Sequence, residues 1–143
     1  MAHEANKYVL LIEDNPGDAF LVQEYLHENP EDRLKVVWVK CLTEALELPA
    51  KDEIDVVLTD LSLPDSMGLD TVRAVVAAFP TKPIIVLTGL SDTTIGVRAV
   101  HEGCQDYVVK GSGDGETLRL AIRYAIERKS IERRLRESEE KLR

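Results

Sequence analysis

Five side chains able to do chemistry stand at the ends of short apolar runs. Glu13 and Asp14 follow KYVLLI, Asp60 ends DVVLTD, Thr88 ends PIIVLT and Lys110 follows DYVV. If those runs are parallel strands, their carboxyl ends share one sheet edge, and the five residues meet in one crevice. Three carboxylates packed together repel, and they stay ionised only with a cation among them. A donor set of oxygens without Cys or His suits a hard cation, and few carboxylates with room for water suit Mg²⁺. A dication beside a carboxylate favours phosphoryl chemistry. Lys110 can hold a phosphoryl oxygen as a mobile point charge, and Thr88 can hydrogen-bond another. Asp60 is the natural nucleophile, because a carboxylate can form an acyl phosphate. Each residue alone has a plainer reading. Asp14 or Asp18 can cap a helix with Pro16 in its first turn, Asp60 can cap a turn, Thr88 can end a strand, and Lys110 can be a surface lysine. Their joint placement at four strand ends favours the chemical reading.

The elements that must position these residues are legible in the pattern of apolar residues. Continuous apolar runs predict strands covered on both faces at Lys7–Ile12, Leu34–Val39, Ile54–Thr59, Pro83–Thr88 and Asp106–Val109. Between them, apolar residues at helical spacing predict five helices. The first holds Phe20, Leu21, Tyr25 and Leu26 and stops at Pro30; a short one holds Ala45 to Leu48 and ends at Pro49. The others cover Leu69–Phe79, Thr93–Glu102 up to Gly103, and the chain from about Gly115. Strands alternating with helices at about twenty residues per unit predict an α/β doubly wound, five-stranded parallel sheet.

Composition narrows the function. The chain has 143 residues, a net charge of −8 and no run of eighteen apolar residues, so no transmembrane helix is expected. Its start has no basic region ahead of an apolar stretch, so no signal peptide is read and a cytoplasmic location is expected. Residues 127–143 hold seven Lys/Arg and five Glu, leaving the acidic excess on residues 1–126. An acidic body disfavours direct nucleic-acid binding and favours cations or basic partners. Cys41 and Cys104 lack CxxC spacing and read as reduced, half-buried residues, and His27 suits the end of the first helix.

The segments EDNPGD, VVLTDLSLPDSMG, PIIVLTG and DYVVKG together resemble the receiver domain of two-component response regulators, over roughly Tyr8–Ile126. The resemblance implies a flavodoxin- or CheY-like strand order 2-1-3-4-5, extended here by a long C-terminal helix. It makes Asp60 the phosphoacceptor, Asp14 a direct Mg²⁺ ligand, Glu13 a ligand through water, and the backbone carbonyl of Ser62 the remaining protein ligand. Thr88 and Lys110 would contact the phosphoryl group, and Thr88 with Tyr107 would form the switch. Pro64 and Gly68 would shape the loop after the acceptor. It further implies a sensor histidine kinase or phosphotransfer protein as donor, and a protein that catalyses only its own phosphorylation and dephosphorylation. Phosphorylation would repack the face of the fourth helix, fifth strand and last helix, to control an output partner or domain. Gly111, Gly89 and Glu13 depart from the commonest family residues, and Ser62 and Leu90 occupy positions thought to tune phosphoryl lifetime.

Other readings fit less of the sequence. A phosphatase with an aspartyl nucleophile needs a second acid where Ser62 stands. A flavin module needs a Ser/Thr/Gly-rich loop where EDNPGD stands. Gly111-Ser112-Gly113-Asp114-Gly115 has no following strand to complete a dinucleotide unit. The tail 127–143 reads as a charged helical linker. Tyr124, Ile131 and Ser138 recur every seven residues, as do Arg128, Leu135 and Leu142, which outlines a thin coiled-coil seam. A homodimer through this helix or through the switch face is one expectation. A receiver module leading into a PAS-containing sensor kinase or cyclic-dinucleotide enzyme is the other, because RLRESEEKLR resembles the lead-in to a PAS domain.

Overall fold

Five apolar runs form one parallel sheet because both of its faces are covered. In the computed structural model, which describes residues 5–89, 93–111 and 115–142, the strands are β1 (Lys7–Ile12), β2 (Leu34–Val39), β3 (Val56–Asp60), β4 (Ile84–Thr88) and β5 (Asp106–Val109). Their order is β2-β1-β3-β4-β5, all parallel, as the resemblance implies. The helices are α1 (Pro16–His27), α2 (Leu42–Leu46), α3 (Leu69–Ala78), α4 (Thr93–His101) and α5 (Gly115–Lys141).

Alternate residues of each strand feed two separate cores. Leu10, Ile12, Val57, Ile84 and Val86 pack with Leu42, Val72, Val75, Phe79 and Ala99 from α2, α3 and α4. Val9, Leu11, Val56, Leu58, Ile85 and Leu87 pack with Val22, Leu26, Leu118 and Ile122 from α1 and α5. Burying each such side chain contributes about 1.5–3 kcal/mol. Polar strand ends thereby sit on a rigid platform.

The third strand runs from Val56 to Asp60 rather than from Ile54 to Thr59. Ile54 instead closes a 3₁₀ turn, donating its N–H to Lys51 O. The Asp55 carboxylate accepts the Tyr8 N–H at 2.8 Å, and the shift makes Asp60 the last strand residue. The loop after Asp60 holds an unexpected short hairpin, Ser62–Leu63 against Ser66–Met67. It closes where Gly68 N donates to Leu61 O at 2.9 Å. Gly68 adopts φ +61°, a left-handed conformation that favours glycine.

Helix α2 covers Leu42–Leu46, slightly earlier than the sequence suggests, and Cys41 at its N-cap position makes no side-chain cap bond. Asp65, at the hairpin's turn, supplies that cap. It accepts from Leu42 N, Thr43 N and Thr43 Oγ1 at 2.9, 2.8 and 2.7 Å. Helix α5 runs unbroken through residues 126 and 127 for 27 residues, about 40 Å at 1.5 Å per residue. It buries Gly115, Leu118, Ile122 and Ala125 against the body. Residues 131–142 are all exposed, Ile131 and Leu135 included.

Candidate functional site

The predicted carboxylates converge. Glu13, Asp14 and Asp60 each present an oxygen such that all three lie within 4.8 Å of one another. Glu13 and Asp14 leave the end of β1, and Asp60 ends the neighbouring β3. Glu13 is fully buried, Asp60 half-buried and Asp14 exposed, so the cluster opens from an apolar floor to solvent.

Lys110, first residue after β5, reaches into this cluster. Its Nζ lies 2.7 Å from Glu13 Oε1, 2.9 Å from Asp60 Oδ2 and 3.1 Å from Asp18 Oδ2. The contacts to Asp60 and Asp18 are hydrogen bonds. The contact to Glu13 is the shortest of the three, at the distance of a charge-assisted hydrogen bond. Three carboxylates thus face one ammonium. Burial works against the charge on Lys110, but Glu13 and Asp60 outweigh it and raise its pKa, so it stays protonated. Burial pushes the Glu13 carboxyl up to about 7; the charge of Asp60 adds to that push, and Lys110 only partly offsets it.

The donor set is all oxygen and carries surplus negative charge, three carboxylates against one ammonium. Those features fit a hard divalent cation. Ser62 is exposed, and its N–H donates to Asp60 Oδ1 at 3.3 Å.

Thr88 ends β4 beside Val109, and its carbonyl accepts the Lys110 N–H at 2.7 Å. The residue is 2% exposed, yet its Oγ1 has no hydrogen-bond partner among the described residues. Leaving a buried hydroxyl unpaired costs about 1–3 kcal/mol. Tyr107 is half-buried against the core beneath α4. Its ring lies so close to Gly96 that a Cβ there would stand 2.8 Å from ring atoms Cγ and Cδ2. Leu90 lies outside the described residues.

Two neighbours of the site escaped sequence reasoning. Asp18 reads as a helix cap, but the N-cap of α1 is Asn15, whose Oδ1 accepts from Asp18 N at 3.0 Å. The Asp18 side chain is therefore free to turn to Lys110. Trp38 of β2 donates its indole Nε1–H to the Glu13 carbonyl at 2.7 Å and steadies the loop that carries both acids. Asp18 stands one helical turn beyond Asp14 at the same sheet edge, a placement that could have drawn attention to it. Nothing local to Trp38 pointed to its bond.

A sequence model of the response regulator receiver domain matches residues 9–123. The regulatory protein LuxO of Vibrio cholerae is 32% identical over 84% of this chain, which spans 26% of that protein. The transcriptional regulatory protein KdpE of Mycobacterium tuberculosis is 34% identical over 80% of this chain, which spans 50% of it. The chain thus covers between a quarter and a half of these curated relatives. Among solved structures, a response regulator receiver domain protein from Clostridium thermocellum superposes with a TM-score of 0.75 at 29% identity, covering 87% of this chain and 98% of that one. The signal receiver domain of an HD domain-containing protein from Pseudomonas fluorescens Pf-5 gives 0.77 at 27% identity, covering 94% and 96%. With the crevice described above, these matches establish that the chain belongs to the response regulator receiver domain family of two-component systems.

Proposed function

We propose that Asp60 accepts a phosphoryl group from the phosphohistidine of a sensor histidine kinase or phosphotransfer protein. The observation that carries this reading is the cluster of Glu13, Asp14 and Asp60, tied through Asp60 to Lys110, beside the buried Thr88 hydroxyl that has no hydrogen-bond partner among the described residues. The cluster offers oxygen ligands to a cation, and the hydroxyl offers a donor to a phosphoryl oxygen. Glu13, Asp14, Asp60 and the backbone carbonyl of Ser62 would hold Mg²⁺. When bound there, that ion offsets the charge developing on the phosphoryl oxygens.

Asp60 supplies the attacking carboxylate oxygen. An O–P bond forms as the N–P bond breaks, and that bond's electron pair returns to the imidazole. Lys110 neutralises an equatorial oxygen. Thr88 donates its free hydroxyl to a phosphoryl oxygen and, in moving, vacates space that Tyr107 enters. That exchange is the two-state element through which local charge repacks the face of α4, β5 and α5. The chain catalyses only its own phosphorylation and dephosphorylation, in the cytoplasm, where nucleotide-driven histidine phosphorylation occurs. The repacked face controls an output domain or partner, or a second copy, since Val97, Val100 and Tyr124 are exposed apolar residues on its helices. Among the described residues no helix is long and apolar enough to cross a membrane. NtrC of Proteus hauseri is named as a DNA-binding regulator, whereas the acidic body of this chain disfavours direct nucleic-acid contact.

Incubation with acetyl phosphate and Mg²⁺, followed by intact-mass measurement, tests the reading. One phosphoryl adduct is expected, and Asp60→Asn or a chelator should abolish it. An adduct that survives Asp60→Asn overturns the assignment.

A further inference from the structure

We propose that Asp18 is a positioning residue that holds Lys110 in reserve and sets how readily its ammonium passes to a phosphoryl oxygen. The inference rests on the phosphoacceptor reading of Asp60. An ammonium has three N–H donors and no more. Three carboxylates surround Lys110 Nζ, so a phosphoryl oxygen can engage it only by displacing one of them.

The three are not equal. Glu13 is fully buried and its ionic contact is the shortest, at 2.7 Å. Water cannot take over its solvation when the contact breaks. Asp60 is the reacting group and stays in place. Asp18 makes the longest contact, at 3.1 Å, and its side chain is 45% exposed, so water replaces the ammonium at least cost. Asp18 also lies outside the cluster of Glu13, Asp14 and Asp60, so its hold on Lys110 does not compete with a cation. It therefore releases the lysine as the phosphoryl group arrives. Its negative charge, at the mouth of the crevice, opposes that arrival. Both effects have the same sign: the Asp18 carboxylate lowers affinity for an anionic phosphoryl group.

Helix capping does not account for Asp18, because Asn15 provides the cap. Asp18→Asn keeps the size and removes the charge, and Asp18→Glu keeps the charge. The first test is the affinity for beryllofluoride, a phosphoryl mimic, in the presence of Mg²⁺. Asp18→Asn should bind about fivefold more tightly than wild type, the size of a partly exposed ion pair, and Asp18→Glu should bind like wild type. The second is an NMR correlation of the Lys110 ammonium in metal-free protein. It should persist in wild type and Asp18→Glu and broaden in Asp18→Asn, as one shielding partner is lost. Equal or weaker beryllofluoride binding by Asp18→Asn overturns the inference while leaving Asp60 as acceptor. A wild-type protein that takes up no beryllofluoride overturns the acceptor reading, and the inference with it.

Discussion

Asp65 and the crevice around Asp60 are built from the same residue type, five positions apart, under opposite conditions. Asp65 accepts three hydrogen bonds from one short helix end, and those bonds, the Thr43 hydroxyl foremost, hold its carboxyl down at about 2. Around Asp60, burial drives Glu13 up to about 7, the buried Thr88 hydroxyl has no hydrogen-bond partner among the described residues, and three carboxylates share one lysine. Asp65 favours the native state as it stands. The crevice keeps unmet electrostatic demand that a cation and a phosphoryl group would meet. Where carboxylates are fully satisfied, they serve stability; where they are not, they are poised to bind.

That contrast predicts opposite responses to substitution. The largest effect is expected at Glu13. Glu13→Gln should weaken Mg²⁺ binding ten- to hundredfold, by analogy with ligand-supporting residues elsewhere, without lowering the melting temperature of the metal-free protein. Calorimetric titration and thermal unfolding in chelator measure the two. A lowered melting temperature with unchanged Mg²⁺ affinity would place Glu13 on the stability side.

Next comes the packing behind the crevice. Gly96→Ala would gain about 1 kcal/mol of helix propensity, but its Cβ would meet the Tyr107 ring at 2.8 Å. Overpacking of that kind costs about 1–3 kcal/mol, so a net loss of up to about 2 kcal/mol is expected in urea unfolding. A stabilised variant would mean that the ring swings aside freely.

The smallest effect belongs to Asp65. Asp65→Ala should lose about 1 kcal/mol at pH 7, the usual worth of a helix cap, and leave Mg²⁺ affinity unchanged. The folded carboxyl lies near 2, below its usual value. Its contribution is therefore complete above about pH 4 and is lost as pH falls toward 2. Urea titrations across that interval should show wild type and variant converging. A gap that is constant with pH would assign the effect to the turn rather than to the charge.

Much of this was legible before the structure. Three of the strands, Lys7–Ile12, Leu34–Val39 and Asp106–Val109, fall where their apolar runs are. Runs covered on both faces can belong only to a sheet packed between helices, and strand-end polar residues then share an edge. The convergence of Glu13, Asp14, Asp60 and Lys110 follows from that logic. The hairpin after Asp60 was not legible, because its two strands hold two residues each and carry no periodicity.

Local pattern therefore decided which residues line the sheet edge, because burial on two faces leaves a record in every strand. Tertiary structure alone decided how those residues share charge. The Lys110–Asp18 bond joins positions 92 residues apart, the Asp65 cap spans 22 or 23, and the Trp38 indole reaches back 25 to the Glu13 carbonyl. Such pairings depend on helix placement and side-chain rotamers within a few tenths of an ångström, and the order of residues along a chain does not encode distances at that scale.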